Sequence, residues 1–298
     1  MNTAINFKKN RKRNKIKENK SFKIAKIIMF IIFVLHAATI LSAFAWMILS
    51  TLKEQMEFSL NKFGLPQKWL FSNYAKAFET LVDDATDTSV YKMIFNSLWW
   101  ALGGTFLTIS CSVMMSYAIA KFKFRGRDFL YGTALFAMML PIYGAMPANM
   151  ALLNDLGLYN NPLILITCCN GLTSHFVMLY AIFKSVSWSY AEAAYIDGAN
   201  HFTVFFKVML PMARTPILAL WIMMIMAKWN DYMTCIIYFP DWLTLSAGLF
   251  TYQLIHVRDA NTPVLFAGLV ICMIPPLFLF IALQNKVSSL TIAGGLKG

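Results

Sequence analysis

The stretch that decides the fold is Glu192–Pro211, EAAYIDGANHFTVFFKVMLP, which lies between two long apolar segments. Ser189 and Glu192 have the spacing of a capping box, in which the hydroxyl accepts an amide N–H and the carboxylate reaches back. This spacing predicts a short helix that starts near Tyr190. Gly198 should end the helix, because glycine tolerates the left-handed turn that follows a helix.

A second helical piece is predicted after Gly198. Its apolar side chains fall at i, i+3, i+4 and i+7 and form one stripe: Phe202, Phe205, Phe206 and Met209. Pro211 should open the next element. The sequence thus predicts a helix–glycine–helix elbow on the membrane surface. The helical bundle would hold the stripe, and the carboxylate of Glu192 would point outward.

These residues carry a resemblance. Glu192-Ala193-Ala194, then Gly198 after three residues and Val208-x-Leu210-Pro211 after nine more, resemble the EAA loop of binding-protein-dependent ABC importer permeases. The run EAAYIDGAN is similar to the carbohydrate-uptake, MalG-like branch. The family usually has Ile in place of Val208, and Ile-Pro-x-Glu-Leu where this chain has Val186-Ser-Trp-Ser-Tyr190. The missing proline makes the exact start of the helix uncertain by a few residues.

The resemblance implies that the loop is a coupling helix that docks into a cleft of a cytoplasmic ATPase. The coupling residues it implies are Glu192, Ala193, Ala194, Asp197, Gly198, Leu210 and Pro211. The competing reading is an ordinary amphipathic connector.

Composition indicates a membrane protein. Of the 298 residues, 58% are hydrophobic and 13% are charged, and a soluble domain is less apolar and more charged. The formal net charge is +12, but ten of the 26 basic residues lie between Lys8 and Lys26. Such a cluster before an apolar span is typical of a cytoplasmic topology signal that also attracts anionic lipid. It does not favour nucleic-acid binding.

Six apolar segments follow the basic tail, and each is close to the ~20 residues that cross a ~30 Å hydrocarbon core as a helix. They are residues 27–50, 97–120, 129–153, 162–184, 211–237 and 263–283. The predicted fold is an all-α polytopic membrane protein with six transmembrane helices, and the resemblance implies a type I ABC importer permease. The predicted organisation is a basic cytoplasmic tail (1–26), a first transmembrane helix (27–50), an extracytoplasmic loop (51–96), a permease core (97–285) with the coupling loop 188–211, and a cytoplasmic tail (286–298).

The charges of the loops predict the orientation. Residues 1–26 and the turn 121–128 are basic, whereas loop 51–96 holds five lysines against six acidic residues. Basic and non-basic loops therefore alternate, which places both termini and the elbow in the cytoplasm. Within loop 51–96, residues 69–78 read as an amphipathic helix at the outer interface, with Trp69 and Tyr74 as anchors. In the resembled family this region helps to receive the binding protein, and simple packing over the outer leaflet is the equally open alternative.

Two places suggest a translocation path. Pro141 and Pro147 should kink or break the third span, although a passive kink is an open alternative. Lys228-Trp-Asn230-Asp231 interrupts the fifth span, and charges within spans usually face a bundle interior or water. Asn230 and Asp231, together with the two prolines, are therefore candidates to line the path. The alternative is that Lys228 snorkels to the outer interface and pairs with Asp231.

The carboxyl terminus, Ala293–Gly298, resembles the glycine-rich tail of MalG-like subunits, which reaches toward the ATPases. This implies an ATPase contact through Gly294, Gly295 and Lys297, and the alternative is a frayed terminus. The sequence has no Gly-x4-Gly-Lys-Ser/Thr loop, so ATP and Mg²⁺ are expected in a partner ATPase, with no cofactor in this chain. No metal-ligand spacing and no catalytic triad pattern are visible, so we do not expect an enzyme.

The expected function is that of the permease subunit of an ATP-driven importer in a bacterial cytoplasmic membrane. It would move a sugar or oligosaccharide that an extracytoplasmic binding protein delivers. The expected partners are a second homologous permease, two ATPase subunits, the binding protein and the bilayer. A permease for a non-sugar solute is the first alternative. A secondary transporter, which would tend to show inverted repeats, and a structural subunit without a path are the others.

Overall fold

The structure is a computed structural model that describes residues 20–82, 88–140, 144–256 and 260–294. All regular elements in these ranges are helices: α1 (Lys20–Thr51), α2 (Gln55–Leu60), α3 (Ser72–Thr80), α4 (Val90–Leu98), α5 (Gly104–Lys121), α6 (Arg127–Met139), α7 (Ala145–Asp155), α8 (Ser174–Ser185), α9 (Ser189–Ile196), α10 (His201–Thr203), α11 (Leu210–Met212), α12 (Arg214–Trp229), α13 (Tyr232–Tyr238), α14 (Leu245–Ile255) and α15 (Thr262–Gly294). Trp99–Gly103 and Val204–Met209 form π-helical segments, and Pro162–Cys168 and Pro240–Trp242 form 3₁₀ turns.

Three continuous helices are long and apolar enough to cross a membrane. They are Ser21–Thr51, Val90–Lys121 and Thr262–Gln284, and they correspond to the first, second and sixth predicted spans. The second begins at Val90, seven residues before the predicted position, because α4, the π-helical segment and α5 form one rod. A fourth span results if the bent pair His201–Met212 and Arg214–Trp229 is taken together.

The other predicted spans are broken helices. Segment 129–153 contains α6 and α7, segment 162–184 contains a 3₁₀ turn and α8, and segment 211–237 contains α12 and α13. Each piece is shorter than the ~20 residues that a single straight helix needs to cross the hydrocarbon core. Apolar composition alone does not reveal such breaks, because both halves of each segment are apolar. The prolines of the third segment and the polar run 228–231 of the fifth indicated two of them.

The predicted break in the third span lies between α6 and α7. Gly144 precedes α7 with φ +79°, a left-handed conformation that glycine adopts readily. Pro147 is the third residue of α7, where the lost amide N–H has no intrahelical partner in any case. Pro141 lies outside the described residues.

Helix packing produces a bundle around α5, α12 and α15. Helix α5 packs against α8 and α12, and α15 packs against α1, α3 and α12. One apolar cluster includes Val90, Trp229 and Val264 and joins α4, α12 and α15. The indole N–H of Trp229 donates to the carbonyl of Cys272 at 3.0 Å and fixes α12 to α15.

The helix predicted at residues 69–78 occurs as α3, three residues further along. Trp69 is exposed, as an interfacial anchor would be. Tyr74 is half-buried: its hydroxyl lies 3.0 Å from Oγ1 of Thr51 and its ring packs on the core. Its role as an anchor stays a prediction. Buried Asn73 also donates to the carbonyls of Thr51 and Lys53, at 2.8 Å each. Hydrogen bonds therefore fasten α3 to the end of α1.

Candidate functional site

The elbow begins with α9, and its start differs from the predicted capping box. Ser189 is the first helical residue, and the N-cap residue Trp188 makes no side-chain cap. The hydroxyl of Ser187 lies 2.7 Å from that of Ser189 and accepts the amide N–H of Ser189 at 3.3 Å. The capping-box prediction was wrong because a serine–serine contact engages the hydroxyl. Glu192 is consequently exposed, and its carboxylate has no hydrogen bond or ion pair within the described ranges.

The end of α9 confirms the predicted glycine stop. Gly198 has φ +83°, and its N–H donates to the carbonyl of Tyr195 at 3.0 Å. The N–H of Ala199 donates to the carbonyl of Ala194 at 2.9 Å. This pair of bonds is a Schellman motif, which satisfies the last carbonyls of a helix and requires a left-handed residue. Gly198 therefore sets the direction in which the chain leaves α9.

The second arm starts at Asn200 and contains an unexpected π-helical segment. The Asn200 side chain caps this arm by accepting the N–H of Thr203 at 2.8 Å. Val204–Met209 then has wider turns, with i→i+5 bonds. The buried face accordingly repeats at five-residue spacing, and Val204 and Met209 are fully buried.

The predicted apolar stripe was therefore correct only in part. Met209 is buried and Phe205 packs on the core, but Phe202 and Phe206 are 75% and 56% exposed. The 3.6-residue period that underlies the prediction does not hold within a π-helical segment. Phe202 and Phe206 instead line a shallow apolar cavity with Met114 of α5.

The elbow bends sharply before α12. The arm His201–Met212 makes an angle of 75° with Arg214–Trp229. Pro211 lies in the short helix α11, so it precedes the bend by two residues and does not itself open α12. Ala213 is fully buried at the bend, and this burial fixes the junction between the elbow and the long helix.

Aromatic side chains hold the two arms together and on the bundle. The hydroxyl of Tyr195 lies 2.8 Å from Nδ1 of His201, which joins α9 to the second arm. Tyr117 of α5 packs its ring against Phe183 of α8 and Phe205 of the second arm, with centroids 5.5 and 4.8 Å apart. The ammonium of Lys121 donates to the carbonyl of Val186, just before α9.

The outer surface of the elbow carries most of the predicted coupling residues. Ala191 is fully buried in the apolar cluster that also contains side chains of α5 and α8, whereas the residue after it, Glu192, is exposed. The predicted coupling residues that are exposed are Glu192, Ala193, Asp197, Gly198 and Pro211. Ala194 and Leu210 are half-buried and pack on the core. One face of α9 is thus fixed, and the other presents a carboxylate.

The predicted path residues lie at two separate places. Asn230 ends α12 and donates to the carbonyl of Met226 at 2.8 Å. Asp231 is the N-cap of α13, where its Oδ1 accepts the N–H of Thr234 at 3.1 Å. Asn230 lines an apolar cavity of about 450 Å³ between α1, α12 and α15. No described hydrogen bond or ring contact joins either residue to Pro147 in α7.

Lys228 lies within the bundle, against α5, and does not pair with Asp231 as the snorkelling alternative supposed. Its ammonium lies 4.1 Å from the ring centroid of Trp100 and 3.3 Å from Sγ of Cys168. No ion pair with Asp231 occurs in the described part of the chain. In the sequence, Trp100 and Gly104 lie about one helical turn apart on the neighbouring span. A glycine at this spacing leaves room for a lysine of another helix to pass and to reach the aromatic ring.

Of the predicted tail contact, only Gly294 is described, as the last residue of α15. Gly295 and Lys297 lie outside the described residues.

Comparison with known proteins decides the family. The family described as binding-protein-dependent transport system inner membrane component matches residues 109–291, which is well over half of the 298 residues. The chain belongs to this family. The match covers most of α5, the whole elbow and most of α15. The protein is therefore a multi-pass permease of the cytoplasmic membrane that works with a binding protein and an ATPase, and it is not itself catalytic.

Individual relatives agree with this assignment. The permease is 30% identical over 260 residues to the diacetylchitobiose uptake system permease protein NgcG of Streptomyces coelicolor, which covers 86% of this chain and 83% of that protein. It is 27% identical over 294 residues to the arabinooligosaccharides transport system permease protein AraQ of Bacillus subtilis, and the alignment covers 95% of this chain and 100% of that protein.

A solved structure has the same fold. A chain of a bacterial ABC transporter involved in the import of the acidic polysaccharide alginate aligns with a TM-score of 0.74 at 21% identity, covering 90% of this chain and 98% of that one. The similarity extends over nearly the whole permease.

Proposed function

We propose that the permease imports a sugar or oligosaccharide that an extracytoplasmic binding protein delivers. The support is the consistency among relatives, whose names refer to diacetylchitobiose, arabinooligosaccharides and lactose. A permease of this family for a non-sugar solute is the remaining alternative. A secondary transporter is disfavoured, because family membership implies coupling to an ATPase.

The proposed topology has six crossings with both termini in the cytoplasm. Three crossings are the continuous helices, and three are the broken pairs α6–α7, the 3₁₀ turn with α8, and α12–α13. Irregular backbone at membrane depth is tolerated where protein or water satisfies the freed polar groups. The basic tail 1–26 and the basic turn 121–128 support this orientation.

The proposed assembly contains this permease, a second related permease, two ATPase subunits and the binding protein. ATP and Mg²⁺ are held by the ATPases, and this chain contributes no ligand to them. Helix α9 enters a cleft of one ATPase, and Glu192 accepts a charge-assisted hydrogen bond from a basic group there. The observation that carries this proposal is an exposed carboxylate, without a partner among the described residues, on a helix that fully buried Ala191 fixes to the bundle.

The mechanism we infer is a rigid-body movement. Closure of the ATPases pulls on α9, and the buried contacts of Ala191 and Tyr117 pass that displacement to α5 and α8. The 75° bend at Ala213 passes it to α12. The path between the spans then opens alternately to either side, with Asn230, Asp231, Pro141 and Pro147 as its proposed lining. Gly294, Gly295 and Lys297 form the proposed second contact with the ATPases.

Reconstituted transport tests the proposal. The importer is placed in proteoliposomes with its binding protein outside and ATP inside, and uptake of labelled diacetylchitobiose, arabinooligosaccharides and lactose is measured. We expect ATP-dependent uptake of at least one saccharide and none when the ATPases are omitted. ATP-dependent uptake of a peptide or amino acid, with no saccharide carried, would contradict the sugar assignment. Saccharide uptake that persists without the ATPases would contradict the coupling.

A further inference from the structure

Lys228 occupies a place inside the helical bundle that its neighbours are shaped to accept. Its ammonium lies 4.1 Å from the ring centroid of Trp100, a distance at which a cation is attracted by an indole face. The side chain crosses α5 at Gly104. A Cβ at Gly104 would lie 2.8 Å from Cε and 2.9 Å from Cδ of Lys228. A Cβ at position 104 would therefore push the end of the Lys228 side chain aside.

Among the described residues, the ammonium of Lys228 has one weak hydrogen-bond partner. Lysine carries three N–H donors, and the partner that the structure gives Lys228 is the thiol of Cys168, a weak acceptor. The indole N–H of Trp100, whose ring the ammonium faces, is buried without a partner. Buried polar groups normally find partners, so the ammonium keeps hydrogen-bonding capacity that the described residues leave unused.

No described carboxylate forms an ion pair with Lys228. Helices α4, α5, α8, α12 and α13 contain no acidic residue. The neighbouring carboxylate along the chain belongs to Asp231, which caps α13. An ionised side chain inside a membrane bundle is costly and usually marks a path or a partner. Among described residues, the charge of Lys228 is thus offset by a ring face and a thiol.

We propose that Lys228 binds an anionic group, a carboxylate or a sulfonate, of the saccharide in transit. This rests on the proposed function, and it narrows the cargo to an acidic saccharide. The ring of Trp100 and the thiol of Cys168 give the ammonium a resting place between transport events. A lysine that is permanently paired with a carboxylate of the second permease needs no such place.

Equilibrium binding to the assembled importer, with the binding protein omitted, tests the proposal. The two probes are labelled trigalacturonate and its fully methylated ester, which differ in charge. A charge-assisted hydrogen bond corresponds to about tenfold or more in affinity, so we expect the acid to bind about tenfold more tightly than the ester. Lys228→Met should abolish this preference, and Lys228→Arg should retain most of it.

Two further variants separate charge from placement. Gly104→Ala keeps the lysine but displaces it from Trp100, so the preference should fall although the charge is unchanged. Lys92→Met removes an exposed lysine of α4 on the same rod, and the preference should not change. If Lys228→Met prevents assembly of the importer, the acid preference of the Gly104→Ala and Lys228→Arg variants tests the proposal instead.

The outcomes distinguish this inference from the proposed function. Equal binding of acid and ester by the unmodified importer, or an acid preference that survives Gly104→Ala and Lys228→Met, would overturn the role of Lys228. ATP-dependent uptake of neutral saccharides alone would overturn it too and leave the proposed function standing. The alternative is that the ammonium contacts the second permease. In that case Lys228→Met would fail to pair with the second permease, and Gly104→Ala would keep an unchanged acid preference.

Discussion

Tyr195 and His201 lie on opposite arms of the elbow and are joined by a 2.8 Å contact between Oη and Nδ1. Their rings also meet edge to face, with centroids 5.3 Å apart. Gly198 lies midway between them and reverses the chain. The contact therefore closes a small loop, and the angle between α9 and the second arm depends on it.

Replacing Tyr195 by Phe should loosen the elbow without unfolding it. The ring contacts remain, while one hydrogen bond of about 1 kcal/mol is lost. We expect a thermal unfolding temperature close to that of the unmodified importer and more ATP hydrolysed per solute molecule moved. Tyr190→Phe is the matched control, because Tyr190 lies exposed on the same helix. Equal coupling ratios for the two variants would show that the Tyr195–His201 contact does not transmit movement.

Gly198→Ala should destabilise the elbow through backbone conformation alone. A Cβ at Gly198 meets nothing within 4 Å, but φ +83° costs a residue with a Cβ about 1–2 kcal/mol. Gly132→Ala is a control of opposite sign, because Gly132 lies inside α6 with open space around it. Alanine at position 132 should raise the free energy of unfolding by roughly 0.5–1 kcal/mol. Thermal unfolding of the purified permease in detergent measures both, and a Gly198→Ala variant as stable as Gly132→Ala would contradict the turn assignment.

The glycine stop of α9 could be predicted because a left-handed helix end has a nearly unique residue requirement. The capping box could not, because Ser187 and Ser189 compete for the same hydrogen bonds and the sequence does not show which prevails. The apolar stripe failed at Phe202 and Phe206 because a π-helical segment replaces the 3.6-residue period. The partners of Lys228 could not be predicted, because Trp100 and Cys168 are remote from it in sequence.

The broken spans illustrate a similar limit. Apolar composition marked six segments, and three of them match continuous helices long enough to cross a membrane. Composition did not show that the other three divide into shorter helices; breaks were predicted only from the prolines of the third segment and the polar run of the fifth. At the fifth span the polar run 228–231 gave the position of the break, and Asp231 provides its cap.

Engineered cysteines test the six-span topology. With the native cysteines replaced, Ala75→Cys, Phe124→Cys and Ala193→Cys place single thiols at positions that are exposed in the structure. An impermeant thiol reagent should label position 75 in intact cells, and positions 124 and 193 only after the membrane is opened. Labelling of position 193 but not 75 in intact cells would reverse the proposed orientation.

Asp231 has a structural role and a proposed transport role, which two substitutions separate. Asp231→Ala removes the N-cap of α13 and should cost about 1 kcal/mol of stability. Asp231→Asn keeps a capping oxygen but removes the charge, so it should lower uptake with little loss of stability. Normal uptake by Asp231→Asn, measured beside the thermal unfolding of both variants, would leave Asp231 as a cap without a role in the path.

Replacing Asn230 by Leu tests the other proposed path residue. The change keeps a similar volume and removes the amide that bonds to Met226. We expect lower uptake with normal assembly of the importer. The exposed Met233 on α13 offers a control through Met233→Leu. Unchanged uptake by Asn230→Leu would place Asn230 on the surface that packs against α1 or lipid.

The central claim is that Glu192 pairs with a basic residue of the ATPase and thereby couples hydrolysis to transport. The number of ATP molecules hydrolysed per solute molecule moved, measured with the charges of this pair reversed, tests the claim most directly. Glu192→Lys should assemble with the second permease, because no described contact depends on the carboxylate, yet it should hydrolyse more ATP per solute molecule moved. Reversing the basic partner residue on the ATPase should restore the ratio, since the two side chains then attract again, and Glu192→Gln should be milder than Glu192→Lys. The account predicts this rescue. A Glu192→Lys importer that couples normally, or one that the reversed ATPase residue fails to rescue, would contradict it.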